Sequence, residues 1–253
     1  MHAVILAAGC GSRMGGLTRR RPKALLRLGG RTLLQWQLAA LAAAGIDEVS
    51  VVGGHAAEAL PAGLRQVRNP HWPHSGPIAS LRAAQPQSLG TALLVYGDSV
   101  FHPDYARALR ASTADIAITV DRRWHTLWSL RFADVLSDAE TLRMRDGRLL
   151  EIGARSNDLA AVEGQFTGLV RFSAQGWAQA QALLDELDPA TAQKLDTTGL
   201  LAQLLQRGVA IETVAMDGRW CEVDSARDLA LYRWLAYRCP GWSHDWRWQD
   251  AAA

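Results

Sequence analysis

The sequence has few cysteines and no long apolar run. Cys10, Cys221 and Cys239 are an odd number with no paired spacing, which argues against a disulfide framework and a zinc site. No apolar run reaches about 18 residues, the length that spans a bilayer, and the N-terminus starts with a strand pattern instead of a signal peptide. We therefore expect a cytoplasmic protein with reduced thiols and no membrane partner.

Neither sign of charge is in excess. The 253 residues include 27 Lys and Arg and 25 Asp and Glu, a net charge of +2, so strong nucleic-acid binding is not expected. With 49% hydrophobic and 21% charged residues, the composition is that of a globular protein with one large α/β domain or two small ones. Lysine is scarce, because Lys23 and Lys194 are its only occurrences. This scarcity suggests that Lys23 serves for its compact charge.

A glycine-rich segment follows the first predicted strand. The apolar residues 2–7 lead into Gly9 and Gly11, and Arg13 and Lys23 come shortly after them. Small residues allow a backbone turn to present several N–H groups to an anion, and the two cationic side chains add charge. The spacing matches neither a P-loop nor a dinucleotide fingerprint. The segment therefore predicts phosphate binding by a different kind of loop.

Strand and helix patterns alternate in the N-terminal part of the chain. Strands are predicted at residues 2–7, Glu48–Val52 and Ala92–Tyr96, and helices at Leu33–Ala44, Ala56–Leu60 and Ile78–Ala84. Parallel strands require crossover connections, and these helices would supply them. The pattern predicts an α/β fold, a Rossmann-like mixed, mostly parallel sheet flanked by helices.

The chain becomes more β-like after Ala114. Short strands are predicted at Ile116–Val120, Trp128–Phe132, Thr141–Arg145, Arg148–Ile152 and Phe166–Phe172. Farther on, the predicted elements are helices at Gly176–Leu187, Leu200–Gln206 and Ala226–Ala236 and a strand at Ile211–Ala215. We expect one domain over residues 1–238 with a small β-rich subregion. A Trp-rich tail, residues 239–253, is expected to fold back on this domain or on the second subunit of a homodimer.

Two aspartates are candidates for binding a metal ion. Asp98 follows Gly97 at the end of an apolar strand, and ligands of open α/β sheets lie beyond the carboxyl ends of the strands. Asp224 precedes a predicted helix, where an aspartate serves equally well as an N-cap. Mg²⁺ takes one or two carboxylates together with phosphate oxygens and water, so two such residues suffice. Local sequence alone leaves both the metal role and the structural role open.

The N-terminal segment resembles the signature of the nucleotidyltransferase superfamily, whose members transfer NMP from an NTP to a phosphorylated acceptor. The match consists of L-A-A-G-x-G-x-R-M from Leu6 and T-x-x-x-P-K-x-L-L from Thr18, and the resemblance extends to about Tyr237. It implies the nucleotide-diphospho-sugar transferase fold, with Lys23 and Arg13 as catalytic residues. It also implies that Asp98 and Asp224 hold Mg²⁺, which the chain would need as a cofactor.

A second segment is similar to the part of this superfamily that contacts the nucleobase. Asn69-Pro70-His71-Trp72 and Ser75–Leu81 carry that similarity, and a helix start with Pro77 in its first turn is compatible with it. The nucleotide-binding residues implied by the resemblance are Leu6, Ala7, Ala8, Gly9, Gly11, Ser12, Gly76, Ser80 and Gly97.

The middle of the chain resembles one branch of the superfamily, the cytidylyltransferases that act on phosphocholine and on phosphonates such as 2-aminoethylphosphonate. The matching segments are Trp128–Phe132, Asp138–Glu140, Asp146–Arg148, Glu151–Gly153 and Gly164–Leu169. The branch implies CTP and a small phosphonate or phosphate acceptor as substrates, with pyrophosphate as a product. The residues implied to bind the acceptor are Trp128, Arg155, Glu163 and Gly168, of which Arg155 replaces the lysine usual in the family.

Several alternatives remain open at this point. Trp128 could present its ring to a cationic acceptor or pack in the core. A sugar-1-phosphate nucleotidyltransferase would share the glycine-rich segment and the aspartates but use another NTP. A non-catalytic nucleotide-binding domain is the second alternative, and the joint presence of Arg13, Lys23, Asp98 and Asp224 argues against it.

Overall fold

The computed structural model describes residues 1–248, which are built around a central β-sheet. The strands are β1 (His2–Ala7), β2 (Arg27–Leu28), β3 (Arg31–Thr32), β4 (Val49–Gly53), β5 (Arg65–Arg68), β6 (Ala92–Tyr96), β7 (Ser99–Phe101), β8 (Ile116–Asp121), β9 (Leu142–Arg145), β10 (Arg148–Ile152), β11 (Gln165–Phe172), β12 (Glu212–Met216) and β13 (Trp220–Glu222). Nine of them form one sheet in the order β5-β4-β1-β6-β11-β8-β12-β10-β9.

The central sheet is mixed. β5, β4, β1 and β6 pair in parallel, as do β8 and β12, whereas β11 runs antiparallel between β6 and β8. β9 and β10 form a hairpin at one edge, joined at Asp146 and Gly147, which both have positive φ as a two-residue turn of this kind requires. The predicted α/β fold with a mixed sheet flanked by helices is confirmed, and this hairpin belongs to the predicted β-rich part.

Helices pack on both faces of this sheet. They are α1 (Leu33–Ala43), α2 (Pro77–Ala83), α3 (Pro103–Ala111), α4 (Trp124–Arg131), α5 (Ala174–Glu186), α6 (Pro189–Lys194), α7 (Thr197–Gln206) and α8 (Ala226–Arg238). Successive side chains of a strand point to opposite faces, and in β1 the buried Ala3 and Ile5 join one apolar cluster while Val4 joins the other. Burial on both faces explains why the central strands are continuous apolar runs.

Two predictions of local structure were wrong. Residues 128–131 form the end of helix α4, with Phe132 as its C-cap, and not a strand, because the buried residues Trp124, Leu127, Trp128 and Arg131 recur with the spacing of a helix. The helix predicted at residues 56–60 is only a short 3₁₀ turn, Ala57–Ala59.

None of the helices in residues 1–248 is both long and apolar enough to cross a membrane.

The tail packs against the rest of its own chain as far as Trp248. Trp246 is completely buried and lies edge-on to Trp36 of α1, with 6.1 Å between the ring centroids. His244 Nε2 donates a hydrogen bond of 2.8 Å to Oδ2 of the equally buried Asp121. The last five residues of the predicted tail, 249–253, lie outside the described part of the chain, and its predicted boundary at residue 238 stays a prediction.

Candidate active site

The carboxyl ends of β1 and β6 meet at one point of the sheet. The N–H of Gly97, directly after β6, donates a hydrogen bond of 3.0 Å to the carbonyl of Leu6 in β1. A Cβ atom at Gly97 would lie 2.4 Å from that carbonyl oxygen, so only glycine permits this approach. The contact brings Asp98, the next residue, beside the segment that follows β1.

The segment after β1, residues 8–18, is called the glycine loop here. It turns at Gly11, whose positive φ of 60° suits glycine, and continues as a 3₁₀ turn, Ser12–Thr18. The carbonyl of Gly11 accepts hydrogen bonds from the N–H of Met14 and the hydroxyl of Thr18. Met14 is buried and anchors the loop, whereas Arg13 is exposed. The Lys23 side chain passes close to Gly11, since a Cβ there would lie 3.4 Å from its Cε.

Lys23 joins two aspartates that are far apart in the sequence. Its Nζ donates to Oδ2 of Asp98 at 2.9 Å and to Oδ1 of Asp224 at 3.2 Å. Its side chain is only 14% exposed. Burial alone would lower the pKa of Lys23, but the two carboxylates outweigh that effect and raise it. Lys23 therefore carries its charge at neutral pH, and three of the four catalytic and metal-binding residues that the resemblance implies lie together here.

Asp224 is surrounded by cations. Besides Lys23, Nη2 of Arg13 lies 3.6 Å from its Oδ1. Burial would raise the pKa of Asp224, but Lys23, Arg131 and Arg13 together lower it to about 2. The N-cap of α8 is Ser225, whose hydroxyl accepts from the N–H of Asp228. The alternative of Asp224 as the helix cap is therefore wrong, and its carboxylate points into the site.

The two carboxylates form a donor set that fits Mg²⁺. Oxygens of Asp98 and Asp224 converge on one point, the position of the Lys23 ammonium group, within 3.2 Å of it. Across residues 1–248, no group of three or more His, Cys, Asp or Glu side chains could hold a metal ion. A magnesium ion held by Asp98 and Asp224 would take its remaining ligands from substrate oxygens and water, as this ion usually does.

A cavity of about 260 Å³, called the main cavity here, opens beside these charged groups. It is lined by Leu6, Ala8, Gly9, Trp72, Ser75, Gly76, Pro77, Ser80, Tyr96, Gly97 and Asp98. A smaller cavity of about 130 Å³ shares part of this lining and adds Gly11 and Lys23. The structure therefore brings the glycine loop, the second sequence segment and the charged cluster around two cavities that share lining residues.

A larger open groove, of about 600 Å³, lies between α2 and α6 and carries none of this chemistry. Its two charged side chains, Arg82 and Asp185, form an ion pair with each other at 3.7 Å. We therefore place the candidate site at the main cavity, even though the groove is larger.

Two wall residues of the main cavity lie where the resemblance implies base contacts. The buried amide of Asn69 donates to the hydroxyls of Ser75 and Ser80, both at 3.0 Å. Gly76 begins helix α2, and a Cβ on it would lie 2.4 Å from the carbonyl oxygen of Leu195. Asn69 belongs to the segment that the sequence singles out, but only Gly76 and Ser80 were predicted as base contacts, and the role of Asn69 in orienting the serines was not predicted.

His55 connects the same wall to the glycine loop, and the sequence offered no signal for it. Its Nε2 donates to the carbonyl of Thr18 at 2.7 Å. Its ring contacts Trp72 edge-on, with 5.3 Å between centroids. The N–H of His55 also donates to the carbonyl of Ala8. His55 therefore links the glycine loop to the tryptophan of the cavity wall.

The prediction that Trp128 binds the acceptor was wrong. Trp128 is completely buried and stacks on Trp220, with 6.2 Å between ring centroids and 11° between planes. The cation over the Trp128 ring is the guanidinium group of Arg131, which lies 4.7 Å from the ring centroid. The core alternative therefore describes Trp128, and Arg131, which sequence reasoning assigned to a strand, lies at the back of the site.

The other three predicted acceptor residues do not line the main cavity and have contacts within the protein. Glu163 accepts from the N–H of Met144, and Arg155 donates to the carbonyl of Ala139 at 3.2 Å. Neither residue lines the main cavity. Gly168, with a φ of 79°, packs under the ring of Tyr96, which does line it. The acceptor roles of Arg155, Glu163 and Gly168 thus stay predictions.

Known proteins share this architecture. The model of the MobA-like NTP transferase domain matches residues 3–159. The chain is 32% identical over 249 residues to the CTP:phosphoglutamine cytidylyltransferase of Campylobacter jejuni, covering 91% of this chain and 98% of that protein. It is 36% identical over 131 residues to the CMP-5'-(3-aminopropyl)phosphonate synthase of Streptomyces rubellomurinus, covering 48% of this chain and 21% of that protein.

A solved structure has the same fold. The inositol-1-phosphate CTP transferase from T. maritima superimposes with a TM-score of 0.72 at 20% identity, over 91% of this chain and 94% of that one. The family model spans more than half of the chain and includes the glycine loop, Lys23 and Asp98. The chain therefore belongs to the MobA-like NTP transferase family.

Proposed function

We propose that the protein transfers CMP from CTP to a small acceptor, either a phosphonate or a phosphate monoester, and releases pyrophosphate, with Mg²⁺ as its cofactor. One observation carries the transferase chemistry: Lys23 lies between Asp98 and Asp224 and lines the smaller cavity, which shares residues with the main cavity. The choice of CTP is supported by the similarity to the cytidylyltransferase of Campylobacter jejuni and to the CMP-forming synthase of Streptomyces rubellomurinus. A phosphorylated or phosphonate acceptor is supported by the same two relatives.

The reaction requires positioning and charge neutralisation more than proton transfer. An oxygen of the acceptor attacks the α-phosphorus of CTP, the bond to the bridging oxygen breaks, and pyrophosphate leaves with that electron pair. An acceptor that is ionised at neutral pH needs no general base. Lys23 and Arg13 would stabilise the charge that develops on the transferred phosphate, and the N–H groups of the glycine loop would hold the leaving phosphates.

Asp98 and Asp224 would hold the magnesium ion. When bound, this ion supplies positive charge to the phosphate oxygens of the nucleotide. The two aspartates keep their carboxylates beside the glycine loop, and Lys23 neutralises them in the structure described here. Gly76 and Ser80 would contact the base in the main cavity.

The acceptor side is proposed to involve Arg155, Glu163 and Gly168. A guanidinium group can donate two parallel hydrogen bonds to phosphate or phosphonate oxygens, which suits Arg155 to such an acceptor. Trp128 has no part in this proposal, because it lies in the core.

A pyrophosphate-release screen tests the proposal. The full chain is incubated with Mg²⁺ and each of four NTPs, crossed with phosphoglutamine, 2-aminoethylphosphonate, phosphocholine, a hydroxyalkylphosphonate and glucose 1-phosphate. We expect turnover with CTP and one of the small non-sugar acceptors. Turnover confined to hexose 1-phosphates and another NTP would replace the proposal with a sugar-nucleotide synthase. Nucleotide binding without turnover on any acceptor would leave only a binding domain.

A further inference from the structure

Arg131 lies on the side of Asp224 that faces away from Lys23. Its side chain has no exposed surface and comes from the last turn of α4. Nη1 donates to Oε1 of Glu222 at 2.6 Å, Nη2 to Oδ2 of Asp224 at 2.9 Å, and Nε to Oδ1 of Asp228 at 3.2 Å. One buried guanidinium therefore contacts three carboxylates.

The two oxygens of Asp224 have separate partners. Oδ1 faces Lys23 at 3.2 Å and Arg13 at 3.6 Å, whereas Oδ2 accepts from Arg131. The backbone N–H of Asp224 donates to Oδ2 of Asp228 at 3.0 Å. Arg131 and Asp228, which also bond each other, thus hold both the side chain and the backbone of Asp224. Rotation of the Asp224 carboxylate would break the Arg131 contact.

The surroundings of Arg131 suit arginine and not lysine. The guanidinium lies over the rings of Trp128 and Phe132, 4.7 and 4.9 Å from their centroids. The planar guanidinium group has fixed N–H directions, so it can stack on aromatic rings and donate to several carboxylates at once. A lysine ammonium, in contrast, is a compact point charge. The stacked Trp128 and Trp220 behind it complete a rigid support.

We propose that Arg131 is a positioning residue that fixes Asp224 with Oδ1 directed toward Lys23 and toward the metal of the reaction. This inference rests on the proposed function, because it takes Asp224 as a ligand of Mg²⁺. Groups that orient a metal ligand without touching the metal change metal affinity by about 10–100-fold when they are mutated. We expect substitution of Arg131 to weaken metal binding within the same range.

Metal binding by the purified full chain tests this role without a substrate. Mn²⁺ replaces Mg²⁺ as the probe, and free Mn²⁺ is measured by electron paramagnetic resonance during a titration. We expect R131K to weaken Mn²⁺ binding by about 10–100-fold. R122K is the matched control, because Arg122 makes a forked ion pair with Asp217 on the surface, and it should bind Mn²⁺ like the wild type. A folded R131K with wild-type affinity overturns the inference.

A second variant decides the question if R131K does not fold. D228N keeps a hydrogen-bonding amide at this position but removes the carboxylate that accepts from Arg131 and from the backbone N–H of Asp224. Weaker Mn²⁺ binding by D228N supports the inference, and unchanged binding overturns it. Failure of the proposed function looks different. A wild type that binds Mn²⁺ through Asp224 but turns over no NTP contradicts the proposed function alone, whereas turnover without Mn²⁺ binding contradicts the positioning role.

Discussion

The ammonium group of Lys23 lies 2.9 Å from Oδ2 of Asp98, although 75 residues separate the two in the chain. β1 and β6 are neighbours in the sheet, and each ends at the same edge, so the residues that follow them meet. Asp224 reaches the same point from β13, the strand that pairs with β7 immediately after Asp98. The site is thus a direct consequence of strand order.

Removal of charge from either aspartate should abolish metal-dependent turnover. D98N and D224N are nearly isosteric, so we expect both to fold and to lose most activity at low Mg²⁺, because an amide binds this ion less well than a carboxylate. Excess Mg²⁺ or Mn²⁺ should restore part of the rate. D217N, which changes a surface aspartate paired with Arg122, serves as the control. Full activity of D224N at low Mg²⁺ would exclude Asp224 as a ligand.

Asn69 should matter for the nucleotide and not for the acceptor. N69A removes the amide that orients the hydroxyls of Ser75 and Ser80. We expect the KM for CTP to rise about tenfold, the equivalent of one lost hydrogen bond of roughly 1.4 kcal/mol, with an unchanged KM for the acceptor. The exposed Asn157 provides the control N157A. Equal rises in both KM values would point to a general loss of structure instead.

Arg155 should affect only the acceptor. In R155K the charge remains but the fork that can bind two oxygens is lost, so the KM for the acceptor should rise while that for CTP stays nearly constant. R143K, at an exposed arginine of β9, should leave both values unchanged. Steady-state kinetics with each substrate varied in turn provide the measurement. If R155K and R143K behave alike, Arg155 is not part of the acceptor site.

The tail should contribute strongly to stability. Trp246 is completely buried against Trp36, so W246A should lower the free energy of unfolding by about 3–5 kcal/mol. Trp234 of α8 is 56% exposed, so W234A should lower the free energy of unfolding far less. Chemical denaturation of both variants gives the comparison. A stable W246A would show that the docked tail is dispensable for the fold.

The central strands and the glycine loop could be predicted from the sequence because local patterns specify them. β1, β4 and β6 are short apolar runs followed by glycine, and such runs indicate buried strands wherever they occur. The roles of Lys23 and Asp224 came from a resemblance, since no local pattern shows that residues 201 positions apart will meet.

The segment at residues 128–132 shows where local reasoning fails. Trp128, Leu130 and Phe132 alternate with polar residues, which favours a strand, but the structure exposes Leu130 and buries Arg131. An arginine is normally expected at the surface, and the three carboxylates that pair with Arg131 inside the protein come from another part of the chain. The docking of the tail could not be predicted locally either, because its partners lie in α1 and at the end of β8.

We expect the charge of Lys23 to act on the transferred phosphate. The sequence supplies a matched pair for testing it, because Lys194 is its only other lysine and is exposed. Pyrophosphate release from CTP and the best acceptor is measured for K23A and K194A, with thermal unfolding as a check on folding. We expect K23A to lower kcat by about 10²–10³, the scale of losing one preorganised electrostatic contact, and K194A to match the wild type. A folded K23A with near-normal kcat would show that the charge of Lys23 does not act on the transferred phosphate.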